Sequence, residues 1–159
     1  MIIKTVDLRE RDLAWHVYDL ITDAGCTTWD QTVWRSTSQC GTVGCYATHV
    51  ALAAGGRWLV DIDPDENLWI HGTPVTAEDK KDLLHGRITE YMIAVDGDPE
   101  HHIETVRQQK VIHVEYRAAH LLRLDELLSV YELFNWNNSA PMLAKLLEEE
   151  FGPRPRPQA

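Results

Sequence analysis

Two thiols and an imidazole crowd one short run, Cys40-Gly41-Thr42-Val43-Gly44-Cys45-Tyr46-Ala47-Thr48-His49, just ahead of a stretch rich in alanine. A cysteine at a helix start meets the positive end of the helix dipole and the free amides of the first turn. Both lower its pKa, and the amides can hold an oxyanion. Cys40 or Cys45 is therefore a candidate nucleophile. His113, in Val111-Ile112-His113-Val114, is the best-placed base, and His49, one turn beyond Cys45, is the other. No Asn or Asp signal that would orient His113 stands out after it, and an i, i+4 pair such as Cys45–His49 is common by chance. The same run reads as Cys40-x4-Cys45-x3-His49, three zinc ligands that His101, His102 or His113 would complete to four. The second paired spacing of a structural zinc site is missing. The remaining outcomes are a local Cys40–Cys45 disulfide and plain packing, since free cysteine behaves as a small hydrophobe. Packing is the reading carried forward, with no cofactor expected.

The elements that must position these residues follow from spacing. Leu13, Val17, Leu20, Ile21 and Ala24 predict an amphipathic helix over 8–24, opened by the capping box Asp7-x-x-Glu10 and closed by Gly25. Residues 26–39 read as a loop with a turn from Trp29 to Trp34. Ala47, Ala51, Ala53 and Ala54 predict a buried helix over 45–54, ended by Gly55-Gly56. Arg57 to Ile62 reads as a strand with Leu68-Trp69-Ile70 as its hairpin partner. The intervening Asp61 to Asn67 imitates the start of a calcium loop. Glu66 stands where that loop needs glycine and Gly72 where it needs glutamate, leaving an acidic turn. Thr76 caps a helix that Gly86 ends, 87–95 is open between strand and helix, and Asp98-Pro99-Glu100 opens a helix to about Gln109. Val111 to Val114 reads as a brief strand or extended entry, and 116–151 as helical with a turn at 135–138. The fold class expected is mainly α (α+β), a compact helical domain with a minor β-hairpin or short strands.

With 159 residues, 44% hydrophobic and 25% charged, one globular domain over 1–152 is expected, followed by a Pro/Arg-rich disordered tail at 153–159. A formal net charge of -10 repels phosphates, and no basic patch offsets it, so direct nucleic-acid binding is not expected. No apolar stretch approaches the roughly 18 residues of a membrane helix, and the first apolar run is too short for a signal peptide. A cytoplasmic location follows, with Cys26, Cys40 and Cys45 reduced. Trp29, Trp34, Trp58, Trp69 and Trp136 fall outside the helical periodicities. They serve as core and loop anchors or, alternatively, line a partner site.

Gln39 precedes Cys45 by six residues, and Cys45-Tyr46-Ala47 superficially resembles the Cys-Trp-Ala of papain-like enzymes, which carry a glutamine at that distance. That resemblance implies a thiol hydrolase using Cys40 or Cys45 with Gln39. A second resemblance covers about two thirds of the chain. Trp29-Asp30-Gln31-x-x-Trp34, then Cys40-Gly41-Thr42-x-x-Cys45-x-Ala47, then the alanine helix, are similar to a group of small uncharacterised proteins of actinobacterial phages and their hosts. Ala118-x-x-Leu121-Leu122-x-Leu124, Leu133-Phe134 and Asn137 extend it. Members of that group often continue Ala-Gly-Trp where this chain has Ala47-Thr48-His49. They often carry Leu-Leu-Gly-Leu where Arg123 stands here. The resemblance brings no activity with it. It implies an accessory protein of the infected host cytoplasm, acting on a host or phage protein as a non-enzymatic interaction domain. A papain-like hydrolase and a zinc-stabilised binding domain are the alternatives, and the oligomeric state is left open.

Overall fold

The computed structural model describes residues 8–23, 28–38, 41–124 and 127–156; Cys26, Gln39, Cys40 and Asp7 lie outside them. In chain order, α1 (Leu8–Thr22) leads to a hairpin of β1 (Ser36–Ser38) and β2 (Gly41–Val43), and then to α2 (Tyr46–Ala53). A meander of β3 (Asp61–Ile62), β4 (Leu68–Ile70) and β5 (Thr73–Pro74) precedes a four-residue helix, α3 (Ala77–Lys80). The strands β6 (Tyr91–Ile93), β7 (Ile103–Val106) and β8 (Gln109–His113) follow. The chain closes with α4 (Val114–Leu121), α5 (Leu127–Leu133) and α6 (Ala140–Phe151).

These elements correct the mainly helical expectation. Among the described residues the fold is an α+β mix, 43% helix and 19% strand, with the strands in three small antiparallel sheets. The largest departure is the segment 98–109. The Asp98 carboxylate does not cap a following helix: it accepts from the Val95 amide at 2.8 Å and from the Arg117 guanidinium at 2.8 and 2.6 Å. Glu100–His102 makes only a short 3-10 turn, and Ile103 to Val106 then pairs with β8, Ile103 opposite Ile112. Arg107 and Gln108, both with positive φ (48° and 66°), form the two-residue turn between them. In the sheet β8 is central, flanked by β6 and β7.

Three smaller differences have local causes. The 26–39 stretch contains a strand where a loop was expected, Ser36 pairing with Val43. The helix after Thr76 stops at Lys80, well before Gly86. Side chains of the sheet take the amides that a longer helix would use, Leu84 donating to Glu104 Oε1 (2.8 Å) and His85 to the Tyr91 hydroxyl (3.2 Å). The 57–62 run is strand only at its end; Trp58 bridges Met92 in the neighbouring sheet instead. The 87–95 segment resolves as a 3-10 turn over Ile88–Glu90 followed by β6.

The helical layer holds the main core, with Val17, Tyr46, Val50, Leu122, Leu143 and Leu147 all inaccessible or nearly so. As its small side chains predict, α2 is buried, and it packs against α4 and α1. Gly55 (φ 86°) ends it, its amide reaching Leu52 and that of Gly56 reaching Ala51. A second cluster (Leu59, Val60, Ile70, Tyr91, Val111) fills the sheet side, and Ala51, Met92 and Val114 join the two. The end of α4 has the same hydrogen-bond pattern as the end of α2, Arg123 N to His120 O and Leu124 N to Ala119 O. Here an arginine with φ 47° occupies the left-handed position that favours glycine.

Arg107 ties the sheets together. Its guanidinium donates to both Asp79 carboxylate oxygens (2.9 and 2.7 Å), to the Pro74 carbonyl (2.7 Å) and to the Thr73 hydroxyl (3.1 Å). Asp79 also caps α3 by accepting from the Thr76 amide. The Arg107 hydrogen bonds hold the Asp79 carboxyl far below the usual range. A depressed carboxyl stabilises the fold above the ordinary carboxylate pKa of about 3.9. That contribution is lost as pH falls toward the native value. Arg107→Ala is accordingly expected to lower the melting temperature at neutral pH, with the gap to the parent narrowing in acid. A gap independent of pH in thermal melts would remove this ion pair as its cause.

Candidate functional site

Cys45 occupies the N-cap of α2 but its side chain makes no cap. The Thr48 hydroxyl donates to the Trp34 carbonyl, so the thiol, 3.8 Å from Thr48 Oγ1, is left to donate to that oxygen. Only 2% of Cys45 is exposed, and burial pushes its pKa up to about 11 against the smaller opposing effect of hydrogen bonds from Thr48. The expected activation by the helix start is overridden by desolvation. Cys45 is therefore expected to alkylate with iodoacetamide far more slowly than an unfolded thiol, and fully after denaturation. Peptide mapping that finds it labelled at the free-thiol rate in the native protein would contradict its burial.

Neither candidate base faces that sulfur. His49 Nε2 donates to the Thr28 carbonyl at 2.7 Å, and burial lowers its pKa. His113 is buried at the N-cap of α4, where its Nδ1 accepts from the Glu115 amide (3.1 Å). Acceptance at Nδ1 places the proton on Nε2, which donates to Glu90 Oε1 at 3.2 Å. Both ring nitrogens are committed. His101 and His102 lie elsewhere, the His102 ring stacked on Tyr116 at 3.7 Å. Among the described residues no group of three or more His, Cys, Asp or Glu side chains could hold a metal ion.

The motif around Trp29 instead builds a junction. Gln31 Oε1 accepts from Trp29 Nε1 (2.9 Å) and from the Tyr46 amide at the start of α2 (3.0 Å). Its Nε2 donates to the Asn135 carbonyl after α5 (3.1 Å). The Cys45 amide donates to Val33 O, and Gly44 exchanges backbone bonds with Thr28 and Asp30. Glycine is required at 44 because a Cβ there would lie 2.6 Å from Thr48 Cγ2 and 2.7 Å from the Trp34 carbonyl oxygen. Thr42 stands in β2 opposite Thr37, after Gly41, and Ala47 is buried in α2.

Between this loop and the turn after α5 opens a cleft of about 330 Å³, lined by Gln31, Trp34, Glu115, Tyr131, Phe134 and Trp136 with Cys45 at its inner edge. Phe134 is buried, whereas Tyr131 and Trp136 are 69% and 65% exposed. Leu127 and Leu128, at 85% and 64%, continue the apolar surface along α5. Glu115 is half-buried; burial raises its carboxyl above the usual range, opposed by the His113 and His85 imidazoles. In the sequence, Trp34 and Trp136 are two of five tryptophans that read as core and loop anchors, with a partner site as the alternative. Glu115 and Tyr131 carried no signal, because they meet the cleft only through the packing of α4 and α5.

No described helix is long and apolar enough to cross a membrane. Comparison of the chain with protein-family models, with curated proteins and with solved structures finds no match.

Proposed function

We propose that the protein is a non-enzymatic interaction domain that docks a segment of another protein in the aromatic cleft and along the outer face of α5. The observation that carries this reading is the cluster of large exposed apolar side chains, Leu127, Leu128, Tyr131 and Trp136, beside a formed cleft. Contiguous exposed apolar surface of this kind marks interaction sites, and exposed tryptophan and tyrosine are the residues on which binding energy concentrates. Cys45, the described thiol, is buried and protonated, which speaks against a hydrolase built on it. The resemblance to small actinobacterial phage proteins supplies the context: a host or phage protein as partner, in the cytoplasm of the infected cell.

Selection of displayed random peptides on the protein tests this. Winning peptides are expected to lose about 2 kcal/mol or more, some 30-fold in affinity, on Trp136→Ala. Winners that bind the variant equally well, or a selection that yields none, would sink the proposal.

A further inference from the structure

We infer that the cleft receives the guanidinium of an arginine side chain, stacked on its aromatic rings with Glu115 as counter-charge. This rests on the docking role proposed above and names what the cleft recognises. Among the described residues the cleft is lined by one formally charged side chain, the Glu115 carboxylate, and by no lysine or arginine. Among the described residues Glu115 enters no ion pair, while Asp79, Asp98 and Glu10 each have an arginine of this chain. A carboxylate drawn partly out of water beside aromatic rings is costly unless a cation meets it. Burial raises the Glu115 carboxyl, and the nearby His113 and His85 imidazoles, which favour its charged form, do not offset that. A purely apolar occupant would desolvate Glu115 further and leave it unmatched.

The ring faces suit the same head group. Aromatic faces attract cations, and guanidinium combines a planar stacking surface with a fork that matches a carboxylate. The cation–π contact seen among the described residues, Arg35 over Trp58 at 4.4 Å from its centroid, lies outside the cleft. At about 330 Å³ the cleft is at the lower end of small-ligand sites, the scale of one long side chain. The formal net charge of -10 favours approach by a basic segment.

The test compares N-acetyl-arginine methylamide with its citrulline counterpart, a neutral isostere, by amide and indole N–H shifts in NMR at mildly alkaline pH. Arginine is expected to give saturable shifts at the Trp34 and Trp136 indoles and the Glu115 amide, with citrulline at least ten-fold weaker. Glu115→Gln, checked for an unchanged spectrum elsewhere, should reduce the arginine response to the citrulline level. Equal responses to the two probes, an unaltered arginine response in E115Q, or no saturable shift with either would overturn the assignment. Peptides whose binding depends on Trp136 but which show no preference for arginine would leave the docking role standing without it. Failure of the peptide selection counts against the docking role itself.

Discussion

Arg117→Ala is expected to destabilise the protein by about 3–5 kcal/mol, the largest single effect in the fold. Arg117 projects from α4 into a buried site, where its guanidinium donates to both Asp98 oxygens and to the Ile93 carbonyl (2.9 Å). Both side chains are almost wholly shielded from water. Truncation removes the cation and leaves the Asp98 carboxylate with the Val95 amide as its described partner. A buried charge without its counter-ion is penalised far more than the intact pair stabilises. The effect should therefore be non-additive: Asp98→Ala with Arg117→Ala costs less than the two single losses together. Urea denaturation of the four proteins measures this. Additive losses would mean that each residue acts through packing alone.

Gln31→Ala is the second large effect, about 2–4 kcal/mol, with damage to the cleft besides. One side-chain amide satisfies the Tyr46 amide, the Trp29 indole and the Asn135 carbonyl. The Tyr46 N–H is among the first-turn amides of α2 that the helix cannot pair internally, and it is buried. Alanine leaves these groups unmatched and releases the Trp29–Trp34 loop from the turn that carries Trp136. Denaturant unfolding should report the stability loss, and altered indole shifts for Trp34 and Trp136 the loosened cleft. A variant within about 0.5 kcal/mol of the parent, with both indoles unmoved, would show that Gln31 is not the tie.

Sequence reading succeeded where a single stretch of chain decides its own structure. Val17 and Ile21 announce α1 by their spacing, the alanines announce α2, and the turn read at 135–138 precedes α6, where the Ser139 hydroxyl accepts from the Met142 amide. It failed where a distant residue takes over a local signal. Asp98-Pro99-Glu100 has every local mark of a helix start, yet Arg117, far along the chain, claims the carboxylate. The β7–β8 turn is illegible for another reason: Arg107 and Gln108 hold positive φ without the Asn-Gly signature of such turns. Arg123 likewise disguises a helix end, holding φ 47° at a position that favours glycine. The candidate site was half visible. That Cys45 begins a helix could be read from neighbouring residues, but its pKa depends on how completely the layer around α2 excludes water. Glu115, Gln31 and Trp136 belong to three separated segments, and no periodicity records their meeting.

Like charge also decides which encounters the exposed α5 face permits. Two copies of a chain with a formal net charge of -10 repel before their leucines touch. At physiological ionic strength that repulsion reaches about 8 Å from each surface. A molecule of opposite sign meets no such barrier and is drawn inward, so its collisions are more productive. On the docking role proposed above, the same charge slows contact between copies through this strip and favours a basic partner there.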